Sequence, residues 1–205
     1  MRKRTLRRRA LLVTGLAAAT LALSTTGATA ATAPAAADRP ADFYEQRALE
    51  FQKYVAEVFP AVVPEANAVD VTLPADDLGD YWDDMGYLAH WVFFEDAVGQ
   101  TGIALQYDEP GHFGMTPEEI CADEQLSCEI EEQPDGTILV TSVDEVAEKH
   151  HILTIRHFRA DGSVTWGSGY TYDPHFDGDE GPIRDDFSVT EEQLTELVTD
   201  PELTL

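Results

Sequence analysis

The chain is predicted to fold as an α+β domain: an antiparallel sheet of about six strands formed as successive hairpins, packed by a long N-terminal helix and followed by a short C-terminal one. Three observations carry this. Tyr44, Ala48, Phe51, Val55 and Val58 recur every three or four residues, which is the period of one apolar helix stripe. From Tyr87 onward the period changes to two. Turn signals then punctuate the chain at Val98-Gly99, Pro134-Asp135-Gly136 and Ala160-Asp161-Gly162.

The first helix is read over residues 40–59, with Pro60 and Pro64 preventing its continuation. Residues 68–73 alternate weakly and read as a short strand. Residues 74–84 form an acidic loop holding Asp76, Asp77, Asp80, Asp83 and Asp84. Strands over 87–95 and 101–107 make a hairpin that Pro110-Gly111 ends. Thr116, Pro117 and Glu119 spell a capping box with proline at the first helical position, and Met115 and Ile120 are placed to form a hydrophobic staple. Strands follow at 128–133, 137–142, 151–159 and 164–172. In the last, Val164, Trp166, Tyr170 and Tyr172 share one face, and Thr165, Gly167, Gly169 and Thr171 share the other. The large side is expected to pack, with the small side either covered closely or open to solvent. An acidic loop covers 173–186. Thr190 and Gln193 then cap a final helix, with Val189 and Leu194 as its staple.

The chain opens as an exported protein does. Arg2, Lys3, Arg4, Arg7, Arg8 and Arg9 precede an apolar run over 10–23, and Ala28-Thr29-Ala30 follows. Basic head, short apolar middle and A-x-A end make residues 1–30 a signal peptide. The run falls short of the roughly 20 residues needed to span a bilayer. Cleavage is expected after Ala30, Ala33 or Ala37, leaving a flexible tail at 31–38 and one domain at 39–205. Arg8-Arg9 also fits a twin-arginine signal, so the export route stays open. After cleavage no stable membrane insertion is expected, and the location is extracellular.

Removal of 1–30 takes six of the 13 basic residues and none of the 39 acidic ones, leaving a net charge of −32. Such a surface repels nucleic acid and anionic lipid. It suits cations or a basic protein partner, and it equally suits solubility or salt tolerance. Cys121 and Cys128, an even pair in an exported chain, read as one disulfide rather than a redox or metal pair.

Motifs for chemistry are thin. Ser168 lies in Trp166-Gly167-Ser168-Gly169-Tyr170, which lacks both outer glycines of a nucleophile elbow, so it reads as structural. His151 and His157 share a strand face but stand about 20 Å apart at 3.3 Å per residue, too far to share zinc. His150 and His151 point opposite ways, and His90, His112 and His175 have no close partner in sequence. Asp173, Asp177 and Asp179, with Gly178, resemble part of a calcium loop. His175 and Arg184 stand where an EF-hand needs an acid and a glutamate, which leaves weak calcium candidates and no cofactor. Trp82, Trp91 and Trp166 fit a core role better than a sugar-binding groove. No catalytic residue is assigned.

The Ala-rich leader, the cysteine pair before Pro134-Asp135-Gly136 and the ending Thr190-Glu191-Glu192-Gln193-Leu194-Thr195-Glu196-Leu197-Val198-Thr199-Asp200-Pro201 resemble a group of uncharacterised secreted proteins of actinobacteria. The likeness covers 120–205 loosely and the first half in outline. It implies export and a compact fold, and it transfers no catalytic residues. Two functions are carried forward. One is a secreted, non-catalytic domain that binds a protein or cell-wall partner through a sheet face or edge. The other is a secreted hydrolase with a carboxylate or His–acid site of unfamiliar form.

Overall fold

The computed structural model describes residues 42–72, 86–122, 125–174 and 182–205. The leader, the tail, the acidic cluster at 76–84, Trp82, His175, Asp177 and Asp179 lie outside them.

Helix α1 (Phe43–Val62) buries Tyr44, Ala48, Phe51, Val55 and Phe59. Phe59, four residues after Val55, is the residue that completes the stripe. Val58 packs only at its margin. The helix also runs past Pro60, three residues beyond the expected end at Phe59. A proline near a helix C-terminus forfeits a single backbone bond and keeps a helical φ. The stop is Pro64, which pushes Val63 out of helical geometry to φ −119° and ψ 75°, while the Val63 N–H still bonds Phe59 O at 2.8 Å.

Seven strands form one antiparallel sheet, one more than expected: β1 (Asn67–Thr72), β2 (Tyr87–Glu95), β3 (Gln100–Asp108), β4 (Ser127–Glu132), β5 (Ile138–Ala147), β6 (His150–Phe158) and β7 (Val164–Tyr170). The seventh is β1, the short strand read at 68–73, whose weak alternation matches an edge strand with a bulge between Asn67 and Asp70 and a positive φ at Ala68. The order across the sheet is β1-β2-β3-β7-β6-β5-β4. β2–β3, β4–β5, β5–β6 and β6–β7 are hairpins; three follow the turn signals, and the β5–β6 turn at Glu148-Lys149, with a positive φ at Lys149, carried none. Between β3 and β4 the chain instead crosses to the far edge, so β3 pairs with β7. That crossing carries helix α2 (Pro117–Ile120), with its capping box formed and Ile120 buried. Met115 is exposed, so only one half of the expected staple is buried. The Cys121–Cys128 disulfide ties α2 to β4.

Helix α3 (Glu191–Thr199) has the expected capping box, with Val189 and Leu194 both buried. It lies on β6 and β7, whereas α1 lies on β1 and β2. Both helices occupy one side of the sheet, where Leu88, Val92, Phe94, Ile103, Leu105, Leu153 and Ile155 make the core. Burying each such side chain contributes about 1.5–3 kcal/mol.

Of the two outcomes expected for the small side of β7, close cover is the one found, and on the large side Val164 and Tyr170 are buried as well. Its small side is packed: a Cβ on Gly167 would stand 2.8 Å from Leu194 Cδ1, 3.0 Å from Leu105 Cδ2 and 3.2 Å from Val198 Cγ1. The glycines are slots into which α3 is seated. Trp166 and Tyr170 therefore point to the side without α1 and α3. Trp91 alternates out of phase with Leu88, Val92 and Phe94 and points the same way. Trp91 and Trp166 are half-buried there rather than in the core.

The few basic residues act as internal fastenings. Arg184 bonds both Asp96 carboxylate oxygens, at 2.8 and 2.6 Å, and the carbonyls of Gly99 and Gln100. Burial raises the Asp96 carboxyl, but the Arg184 bond and the N–H groups of Val98 and Gly99 outweigh it and hold the carboxyl below its usual range. Arg159 donates to the carbonyls of Val198, Asp200 and Leu203 and to Thr165 Oγ1. It thereby satisfies the end of α3 and fixes Leu203 in the core.

Candidate functional site

Beyond α3 no described helix covers β5 and β4 on this side, and there the described residues form a cleft of about 530 Å³. Three neighbouring strands supply its floor. Register places Ser127 beside Val143, Glu129 beside Thr141, and Val143 beside Leu153, so alternate residues of β4, β5 and β6 point into it. The opposite wall is the segment Asp186, Phe187, Val189, Thr190 and Glu191 that leads into α3. The wall is held by backbone: Ser188 N–H bonds Tyr170 O at 3.0 Å, and the capping box fixes Thr190. Val143, Leu153, Phe187 and Val189 make the interior apolar. Glu129, Asp186 and Glu191 are exposed at the rim. The arrangement can take an apolar group while offering carboxylates to a cation beside it. A smaller cleft of about 310 Å³ along α1 mixes Arg47 and Lys53 with Glu50, Glu57 and Glu202, and its Arg47 is already paired with Glu50 at 2.7 Å.

The side of the sheet without α1 and α3 carries rings. Trp91 stacks on Phe93 with centroids 5.8 Å apart and on Tyr170 at 5.9 Å, and Tyr172 meets Tyr170 edge-on at 5.3 Å. Gln106, Trp166 and Arg156 form one row across β3, β7 and β6. Arg156 bonds Ser142 Oγ at 3.1 Å. Burial lowers its proton affinity, and Asp144 opposes that. Asp108, 2% exposed, accepts two bonds from Gln106 Nε2, each 3.1 Å. Burial raises its carboxyl against the pull of Gln106, His112 and Trp166.

The expected residues fall as follows. Cys121 and Cys128 are disulfide-bonded. Ser168 is buried and paired with Thr154 Oγ1 at 2.8 Å, which places a hydroxyl rather than an imidazole beside it. His157 is buried and its imidazole is held below its ordinary pKa by burial and by Arg159, whereas His151 lies 3.5 Å from Glu145. His90 sits in the core, 3.0 Å from Ala48 O, and burial lowers its pKa. Asp173 is 3% exposed. Among the described residues no three His, Cys, Asp or Glu side chains gather as a metal would require. No described helix is long and apolar enough to cross a membrane. In the cleft wall at 186–191, the sequence marks Val189 and Thr190 only as staple and cap of α3, not as part of a cleft. Its signal was the apolar Phe187 and Val189 standing at the end of an acidic loop.

Comparison with protein-family models, with curated proteins and with solved structures gives no match.

Proposed function

We propose that this is a secreted, non-catalytic binding domain whose cleft between β4, β5 and the 186–191 segment takes a basic segment of a protein partner. The observation that carries the reading is the cleft itself: an apolar interior ringed by Glu129, Asp186 and Glu191, at the part of the sheet that α1 and α3 leave bare. The net charge supports it, because an acidic surface accelerates encounter with a basic partner and deters acidic ones. The basic leader, the disulfide and the likeness to secreted proteins support export.

The hydrolase reading is less well supported. The acid with a raised pKa that it needs is Asp108, which is 2% exposed and lines neither cleft. A catalytic acid must reach its substrate.

Calorimetric titration with an acetylated Lys-Val-Lys-Val-Lys-Val amide and with its Glu-for-Lys counterpart tests the reading. The lysine peptide is expected to bind, and Asp186→Asn with Glu191→Gln to weaken it by about tenfold. Equal affinity for both peptides, or no change in the double variant, would refute it.

A further inference from the structure

We infer that the partner segment binds as an added strand along β4, hydrogen-bonded through its main chain, with basic side chains toward the cleft and apolar ones toward Ile130. The inference rests on the cleft reading above and goes further, since it names the conformation of the partner and the atoms that recognise it.

Among the described residues β4 is an edge strand paired only with β5. In the β4–β5 ladder the Gln133 N–H bonds Thr137 O at 2.8 Å. Antiparallel pairing alternates, so residues 131, 129 and 127 also turn their backbone groups inward to β5. The N–H and C=O groups of Glu132, Ile130 and Cys128 then face outward. No turn or loop hydrogen bond reaches them among the described residues. They form a regular row of donors and acceptors of the kind that takes an added strand.

The opposite edge lacks this quality. β1 is bulged, its Ala68 has a φ of 50°, and Gln52 Nε2 already bonds Val71 O at 2.6 Å. Bulging is one way an edge is blunted. β4 is unbulged over its whole register with β5.

Side-chain charge selects the occupant. Glu129, Glu131 and Glu132 are all exposed along β4. A second copy would set glutamates against glutamates, which costs stability across a strand pair. Lysine or arginine opposite Glu129 and Glu131 gains instead, and on that side Asp186 and Glu191 lie across the cleft. On the other side of β4 stands Ile130, 41% exposed between Cys128 and Glu132, an apolar contact for alternate residues of the incoming strand.

The test uses the full exported chain and three probes: the Lys-Val peptide, the same peptide N-methylated at every residue, and an Ile130→Pro variant. N-methylation keeps charge and side chains and removes every main-chain donor. Proline is tolerated at an edge position whose N–H faces away from the sheet. Expected results are a loss of affinity of about tenfold or more for the methylated peptide, a similar loss for the Ile130→Pro variant, and slowed amide exchange at Cys128, Ile130 and Glu132 on binding. Undiminished binding of the methylated peptide overturns the added strand whether or not the proline variant folds. If that peptide still depends on Asp186 and Glu191, the cleft reading stands and the strand falls. If neither peptide binds, both fall.

Discussion

Replacing Gly167 by alanine should destabilise the domain, although alanine is normally the better residue in a strand. The added Cβ meets Leu194 Cδ1 at 2.8 Å, Leu105 Cδ2 at 3.0 Å and Val198 Cγ1 at 3.2 Å, all nearer than ordinary contact. Leu194 and Val198 belong to α3 and Leu105 to β3, so one rotamer change cannot relieve all three. Overpacking of this kind costs about 1–3 kcal/mol. Restricting the unfolded chain returns about 0.4–1 kcal/mol. The net loss is about 1–2 kcal/mol, or a fall in Tm of about 3–6 °C for a domain of this size. Urea unfolding followed by tryptophan fluorescence measures it, with an unchanged m-value as the sign that native packing alone was altered. A Tm equal to or above that of the parent would refute the seating of α3 in the glycine slot.

Three further outcomes are expected. Burial lowers the pKa of His90, so the unfolded chain takes up a proton that the folded chain resists. The stability His90 supports is present above the unfolded value near 6.5 and declines below it, so a His90→Asn variant should show a flatter slope of Tm against pH between about 7.5 and 5.5; an identical slope would exclude His90 as the source. Cys121→Ser with Cys128→Ser should lower stability by about 2–3 kcal/mol and be matched by adding reductant to the parent, read as a shift in the urea midpoint. Arg159→Leu should cost about 2–4 kcal/mol, because Asp200 O loses its donor and the carbonyls of Val198 and Leu203, still reached by His157 and Thr165, lose one of theirs; calorimetry checks the loss, and faster amide exchange through 198–203 locates it.

Local features were well marked in the sequence. Both capping boxes, the hairpin at Pro134-Asp135-Gly136 and the span of β2 follow from residues adjacent in the chain. The disulfide followed from having only two cysteines. What escaped depended on distant partners. Nothing near Gly167 says that Leu194 will occupy the space beside it, so close cover and solvent stayed equal outcomes for the small side of β7. The end of α1 was misplaced because Pro60 sits where a lost bond is cheap. The candidate cleft unites residues 127–153 with 186–191, and only the crossing of the chain to β4 brings them together.

That crossing also shapes the order of assembly. The centre of the sheet is the β3–β7 pair, whose members are separated in sequence by α2 and three strands. Until β7 arrives, β3 presents an unpaired flank bearing Ile103, Leu105 and Tyr107. A chain emerging from its N-terminus therefore holds two half-sheets that cannot join until the last strand is made. Closure of such a long loop slows folding and prolongs exposure of an adhesive edge. Dense negative charge keeps neighbouring chains apart throughout that wait.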